Sequence, residues 1–199
     1  MTRLLIIRHG STAWNAERRY QGQTDISLNE IGRDQARQLA ERLRSEDVDA
    51  LYASDLRRAW ETAERIAAHH DLVLRPEPRL REISFGQWEG KTRDEIEEHE
   101  SESLAHWFDD PIHRSPPGGE TLRKVVDRVE DAYRDIVERH LGQTVALVAH
   151  GGTLRVLLCL ALEIRPEAYW QFDFDVASLS ELAICNEGAI LSCLNDTAH

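Results

Sequence analysis

Two histidines close strand-like runs. Arg8-His9-Gly10 ends the apolar stretch Leu4 to Arg8, and Ala149-His150-Gly151 ends the β-branched stretch Thr144 to Ala149. A short apolar run that stops this way reads as a buried strand feeding a loop. In open parallel sheets, ligands sit beyond the carboxyl ends of strands, where neighbouring loops diverge. If these two strands are neighbours, His9 and His150 face each other over one pocket. A glycine after each histidine lets the backbone come close to a ligand and leaves N–H groups free for an anion. Arg8 strengthens the anion reading, because its planar fork of donors matches phosphate oxygens. Zinc is a poorer fit: a third ligand is needed, and neither histidine has an H-x-x-x-H or H-x-H neighbour. A Ser-His-Asp hydrolase lacks its G-x-S-x-G elbow here, and no P-loop is present.

The elements that must position these residues alternate between strand and helix. Ser27-Leu28-Asn29-Glu30 has the S-x-x-E pattern of a capping box, and Ile31, Ala36, Leu39, Ala40 and Leu43 give the following helix one apolar face. Val48 to Ala53 reads as a second strand, with Ser54 and Asp55 as caps for a helix over 56–70. Leu72 to Leu74 reads as a third strand. The texture then changes between 83 and 118, where Trp88, Trp107, several prolines and a Glu-rich stretch predict short helices and loops lying over the sheet. Trp88 and Trp107 read there as packing residues. Leu122 to Val137 repeats every three to four residues as a helix, ending near Gly142. A buried helix is expected over 153–163, and a hairpin turning at Asn186-Glu187-Gly188 follows. This alternation predicts an α/β fold: a three-layer α/β/α sandwich around a mainly parallel sheet, in a single domain over 1–199.

Composition narrows the class of partner. Net charge is −12, so nucleic acid and anionic membrane surfaces are disfavoured, whereas a local Arg and His cluster can still hold a small anion. No apolar stretch approaches membrane length. Cys159, Cys185 and Cys193 lie among apolar neighbours without C-x-x-C spacing, which suits buried free thiols and a cytoplasmic location.

At the level of motifs the chain resembles the histidine phosphatase superfamily, the group that includes the phosphoglycerate mutases, along nearly its whole length. Leu5 to Asn15 is similar to the family's opening signature, Tyr20-Gln21-Gly22 to the loop after it, and Ser54 to Ala63 to the segment that supplies a second phosphate-binding arginine. Leu80 to Gly90 resembles the acid-bearing segment, and Ala149 to Gly152 the second histidine motif. The resemblance implies the phosphoglycerate mutase-like sandwich with a small cap over the site. It implies His9 as nucleophile, Glu82 as proton donor, and His150, Arg8 and Arg58 as stabilisers of the phosphoryl group. Asn15, Gln21, Gly22 and Gly151 would bind substrate, with no metal and no other cofactor.

These roles are chemically coherent. Two arginines match a phosphomonoester dianion. His9 needs a fixed acceptor on its second ring nitrogen, and Glu82 must carry a proton when it meets the leaving alkoxide. His150 would donate to a non-bridging oxygen. The compact chain looks more like the small phosphatases of the family, resembling α-ribazole phosphatases and metal-independent phosphoserine phosphatases, than like the longer mutases. It implies hydrolysis of a small phosphorylated metabolite: α-ribazole-5′-phosphate, phosphoserine or a broader set. A mutase and a non-catalytic phospho-ligand binder are the alternatives. Arg18, Arg19, Lys91, His113 and Arg114 are candidates to meet a second anionic group on the substrate. Oligomeric state is not legible, and a homodimer through an edge strand has no sequence signal.

Overall fold

The computed structural model describes residues 1–199. Six strands form one sheet in the order β3-β2-β4-β1-β5-β6. Strands β1 (Thr2–Arg8), β2 (Ala50–Ala53), β3 (Leu74–Pro76) and β4 (Thr144–Ala149) run parallel, while β5 (Leu179–Cys185) runs antiparallel to β1 and pairs with β6 (Gly188–Asp196). β1 and β4 are direct neighbours, with Arg8 opposite Ala149 in register. The two His-Gly loops therefore leave the same end of the sheet side by side, from its two central strands.

Alternation along the strands sends side chains to two cores. Leu4, Ile6, Val145 and Leu147 pack under α5 (Leu122–Arg139) and α6 (Gly151–Ala161), whereas Leu5, Ile7, Ala146 and Val148 pack under α2 (Glu30–Leu43) and α3 (Arg57–Ala67). This is the expected three-layer sandwich with a mainly parallel sheet. α1 (Ala13–Ala16) is a single turn after the first loop. No helix is long and apolar enough to cross a membrane.

Several local expectations are corrected by tertiary contacts. α2 is capped by Asn29, not Ser27: the Asn29 backbone N–H donates to the Ser11 carbonyl, which fixes its extended conformation, and its side chain accepts from Gly32 N–H at 2.7 Å. Neither Ser54 nor Asp55 caps α3. Asp25 accepts from the Arg57 N–H at 2.7 Å in their place, because Asp55 is taken by the Arg81 guanidinium and Ser54 by His150. β3 lies two residues later than expected, and α6 begins two residues earlier, directly after His150.

The 83–118 segment is more regular than its prolines and glutamates suggest. After a single 3-10 turn at Gly86–Trp88 it forms α4 (Arg93–Asp109), a 17-residue helix bent at Glu100. A reciprocal Thr92–Glu95 capping box starts it. The bend residue is held from the core side, since the Glu100 carboxylate accepts from Trp88 Nε1 and Lys91 Nζ. Trp88, Ile96, Leu104 and Trp107 make a small apolar cluster of their own.

Candidate active site

The site lies where β1, β4, α3 and α6 meet the cap. His9 is 2% exposed, and its Nδ1 sits 2.7 Å from the carbonyl oxygen of Gly10. A carbonyl can only accept, so Nδ1 carries the ring proton and Nε2 presents its lone pair, with no protein partner. Burial, with Arg58 and Arg8 close by, holds His9 well below its ordinary value of 6.5. The ring is therefore neutral across the physiological range, with the Nε2 lone pair open to the cavity it lines. The acceptor that fixes its tautomer, illegible in the sequence, is the main chain of its own loop.

Gly10 plays a different part from the one its position suggests. Its N–H is not free for an anion; it donates to Thr62 Oγ1 at 3.1 Å, and that hydroxyl donates to the Arg58 carbonyl at 2.8 Å. This chain ties the His9-Gly10 loop to the first turn of α3. A Cβ at position 10 would meet the Gly32 carbonyl oxygen at 2.5 Å, so the loop also packs backbone to backbone on α2.

Arg58 is fully buried at the start of α3. Its Nε donates to His150 Nδ1 at 3.2 Å, Nη1 to the Thr24 carbonyl at 2.9 Å and Nη2 to the Gly22 carbonyl at 2.6 Å. Three of five guanidinium donors are thus used for placement, leaving two for a ligand. Burial lowers its pKa to about 10, against the opposing pull of Glu82, so the cation persists at neutral pH.

His150 is also fully buried and held well below 6.5, by burial first and then by Arg58 and His9. Because Nδ1 accepts from Arg58, the ring proton is on Nε2 and goes to Ser54 Oγ, 2.8 Å away. Donation from His150 to a phosphoryl oxygen therefore requires the Arg58–His150–Ser54 chain to rearrange as the anion arrives. The two histidine rings stand 5.1 Å apart, centroid to centroid. Arg8 reaches the same space. Its Nη1 donates to the Phe174 carbonyl, its Nε is buried without a partner, and burial lowers its pKa while Glu82 opposes the shift.

Glu82 is held by the N-terminus of α6. Its carboxylate accepts from the N–H groups of Gly152 and Thr153, each at 3.2 Å, and from Ile83 N–H at 2.9 Å. Arg128 grips the segment from behind through the carbonyls of Arg79, Arg81 and Glu82. Helix-end donors that could have met an anionic ligand thus orient the Glu82 carboxylate.

Two adjoining cavities open here. The smaller, 170 Å³, contains His9, Arg8, Arg58, Asn15, Gln21 and Gly22. Asn15 Oδ1 caps α1, Gln21 Oε1 is buried without a partner, and Gly22, at φ +52°, leaves room for the Glu89 carboxylate that a Cβ would strike at 2.0 Å. The larger cavity, 230 Å³, is walled by Tyr20, Phe85, Trp107, Tyr169 and Trp170, with Gly151 packed on the Arg8 guanidinium. Arg8, Tyr20, Glu82 and Phe85 belong to both cavities.

All nine residues expected from the sequence thus converge. Of the cations expected to meet a second anionic group, only Arg19 lines a cavity; Lys91 pairs with Glu100 and His113 with Asp110. The additional cation is Arg155, on α6, which no motif marked. Ser54, Thr62, Glu89 and Arg128 were likewise silent, because their work is done through contacts distant in sequence.

A phosphate-sized pocket with a tautomer-fixed histidine on β1 agrees with the comparisons to known proteins. Residues 4–197 match the family model of the histidine phosphatase superfamily, branch 1. The chain belongs to the histidine phosphatase superfamily. With phosphatases among the relatives that match most of its length, it is a phosphatase. Phosphoserine phosphatase 1 of Hydrogenobacter thermophilus is 35% identical over 199 residues, covering 100% of this chain and 94% of that protein. The metal-independent phosphoserine phosphatase of Arabidopsis thaliana is 39% identical over 163 residues, covering 79% of this chain and 67% of that protein. Among solved structures, the alpha-ribazole phosphatase from Shigella flexneri superposes with a TM-score of 0.91 at 30% identity, covering 98% of this chain and 97% of that one.

Proposed function

We propose that this phosphatase hydrolyses a small phosphorylated metabolite without metal, through a phosphohistidine on His9. The observation that carries this reading is the His9 tautomer: Nδ1 is bound to the Gly10 carbonyl, so Nε2 alone is left to attack. The phosphoryl group would lie in the 170 Å³ cavity against Arg8 and the two open donors of Arg58. Nε2 of His9 bonds to phosphorus as the ester P–O bond breaks, and Glu82, at the junction of the two cavities, gives its proton to the departing alkoxide. Water then attacks the phosphohistidine, its proton passes to the Glu82 carboxylate, and orthophosphate leaves. Charge growing on the non-bridging oxygens falls on the two arginines, and on His150 once its Nε2 proton turns from Ser54. Asn15, Gln21 and Gly22 complete the phosphate cavity, with the unsatisfied Gln21 Oε1 facing a protonated oxygen or the incoming water. The whole of 1–199 would act as one catalytic domain, with the 83–118 segment as its cap.

The test is phosphate release by EDTA-treated protein from p-nitrophenyl phosphate, phosphoserine, α-ribazole-5′-phosphate and 3-phosphoglycerate, the last also with 2,3-bisphosphoglycerate. Release from one or more of these esters in EDTA is expected. Activity that vanishes with EDTA and returns with a divalent metal would refute the mechanism. Conversion of 3- to 2-phosphoglycerate without release would replace it with a mutase.

A further inference from the structure

The larger cavity is chemically one-sided. Its walls are rings: Tyr20 meets Phe85 at 4.8 Å, Phe85 meets Trp107 at 5.8 Å, and Tyr169 meets Trp170 at 4.3 Å between centroids. Its polar groups are almost all donors. Tyr169 Oη and Trp107 Nε1 are buried with no hydrogen-bond partner, although both residues are only 2–3% exposed. Leaving two such donors unsatisfied is costly; both atoms are closed to solvent on residues that line the cavity, so a ligand acceptor that draws them open by a small shift of the rings is favoured. Arg155, which lines the cavity, is fixed by donating from Nε to the Phe172 carbonyl at 2.7 Å and from Nη2 to Asp173 at 3.0 Å, and its Nη1 has no protein partner. Arg8 adds a second cation. Glu82 is the one carboxylate in the lining, and it already accepts from three backbone N–H groups.

We infer that this cavity selects phosphomonoesters whose alcohol carries a flat ring and an anionic or carbonyl acceptor, read by Arg155, Tyr169 and Trp107, and that it discriminates against alcohols bearing an ammonium group. The inference deepens the phosphatase reading and rests on it for the placement of the phosphoryl group. Ring faces supply apolar area for a flat group, and a planar guanidinium in the lining suits a carboxylate or carbonyl. Phosphoserine fits poorly: its carboxylate can reach Arg155, but its ammonium then shares the cavity with two arginines. Its sole carboxylate partner would be the group that must protonate the leaving oxygen. Burial keeps the Tyr169 phenol protonated, so it remains a donor throughout the working range.

The test is calorimetric binding to the His9→Ala protein, which removes turnover. Four esters of primary alcohols are compared: benzyl phosphate, 4-carboxybenzyl phosphate, 4-(aminomethyl)benzyl phosphate and phosphoserine, with inorganic phosphate as reference. The 4-carboxybenzyl ester should bind about 10-fold tighter than benzyl phosphate and about 100-fold tighter than phosphoserine, the scale of matched against unmatched buried donors. Arg155→Met in that background should erase the carboxyl increment. Tyr169→Phe, which removes one hydroxyl and keeps the ring, should reduce it about 5-fold, while inorganic phosphate binds within about twofold of the parent. Phosphoserine or the aminomethyl ester binding as tightly as the carboxybenzyl ester would overturn the inference. So would Arg155→Met weakening all four esters and inorganic phosphate alike. Phosphate release by the wild-type protein from benzyl phosphate in EDTA is measured in parallel; its absence beside the expected binding order would sink the hydrolytic mechanism and leave the recognition intact.

Discussion

The two cavities meet at Glu82 and are built by opposite means. Around His9, polar groups are buried and mostly matched: Nδ1 to Gly10, Arg58 to Gly22, Thr24 and His150, His150 to Ser54, Gly10 N–H to Thr62. Around Trp107 and Tyr169 the rings pack closely while their polar atoms are left unmatched. The first cavity hangs on the ends of β1 and β4 and the starts of α3 and α6, elements braced by both cores. The second leans on the cap and on the irregular 166–174 segment. Fixed donors that need not reorganise suit the charge of a transferring phosphoryl group, which every substrate shares. Unmatched donors on Trp107 and Tyr169, which line only the second cavity, suit the part of the substrate that differs.

That contrast breaks most visibly at Arg58. Arg58→Met should lower kcat/KM about 10³-fold on every ester, whatever its alcohol, because it removes shared charge stabilisation. Retention of the wild-type melting temperature within a few degrees would show that the loss is local, and a loss confined to some esters would contradict the division of labour. Glu82→Gln, at the junction, should cut kcat about 10²-fold for aliphatic esters and under about 10-fold for p-nitrophenyl phosphate, whose leaving group hardly needs a proton. Equal losses would remove Glu82 as the acid. Trp170→Ala should raise KM for ring-bearing esters by about 10-fold with a far smaller change in the inhibition constant of inorganic phosphate, read from initial rates.

The smallest effect is on pH. His9 and His150 are both held well below 6.5, so below that value the unfolded chain takes up protons that the folded chain refuses. Their contribution to stability is complete above about pH 7 and declines as pH falls from 6.5 toward their folded-state values. His9→Asn should flatten the acid limb of melting temperature against pH. An unchanged limb would mean that the phosphate cavity does not keep its histidines neutral.

The sequence was most informative where chemistry and local pattern coincide. Short apolar runs ending in His-Gly mark β1 and β4, but alternation does not fix strand order; that the two strands are neighbours is a condition of the reading, and the pairing of Arg8 with Ala149 meets it. Arg58 and Glu82 were less legible; an arginine on a helix start and a glutamate in a loop carry no local mark, and only the family resemblance singled them out. The misread helix caps share one cause, which is that distant groups took over local ones. Ser54 has the composition of a helix cap but spends its hydroxyl on His150, and Asn29 caps α2 because Ser11 fixes its backbone. The α4 helix is the exception, since Thr92-x-x-Glu95 was a readable capping box lost among charged neighbours. Arg155 lies in the apolar helix that follows His150 and reads as a lone charge there; its purpose is visible only with Trp107 and Tyr169 around it.

The central claim is that His9 Nε2 becomes the phosphoryl carrier. Rapid acid-free quenching of wild-type protein with ³²P-labelled p-nitrophenyl phosphate, followed by peptide mapping, tests it directly. An alkali-stable, acid-labile label on the peptide containing His9, absent in His9→Ala together with turnover, is the expected result. Turnover with no covalent label at any quench time, or a label on another residue, would contradict it.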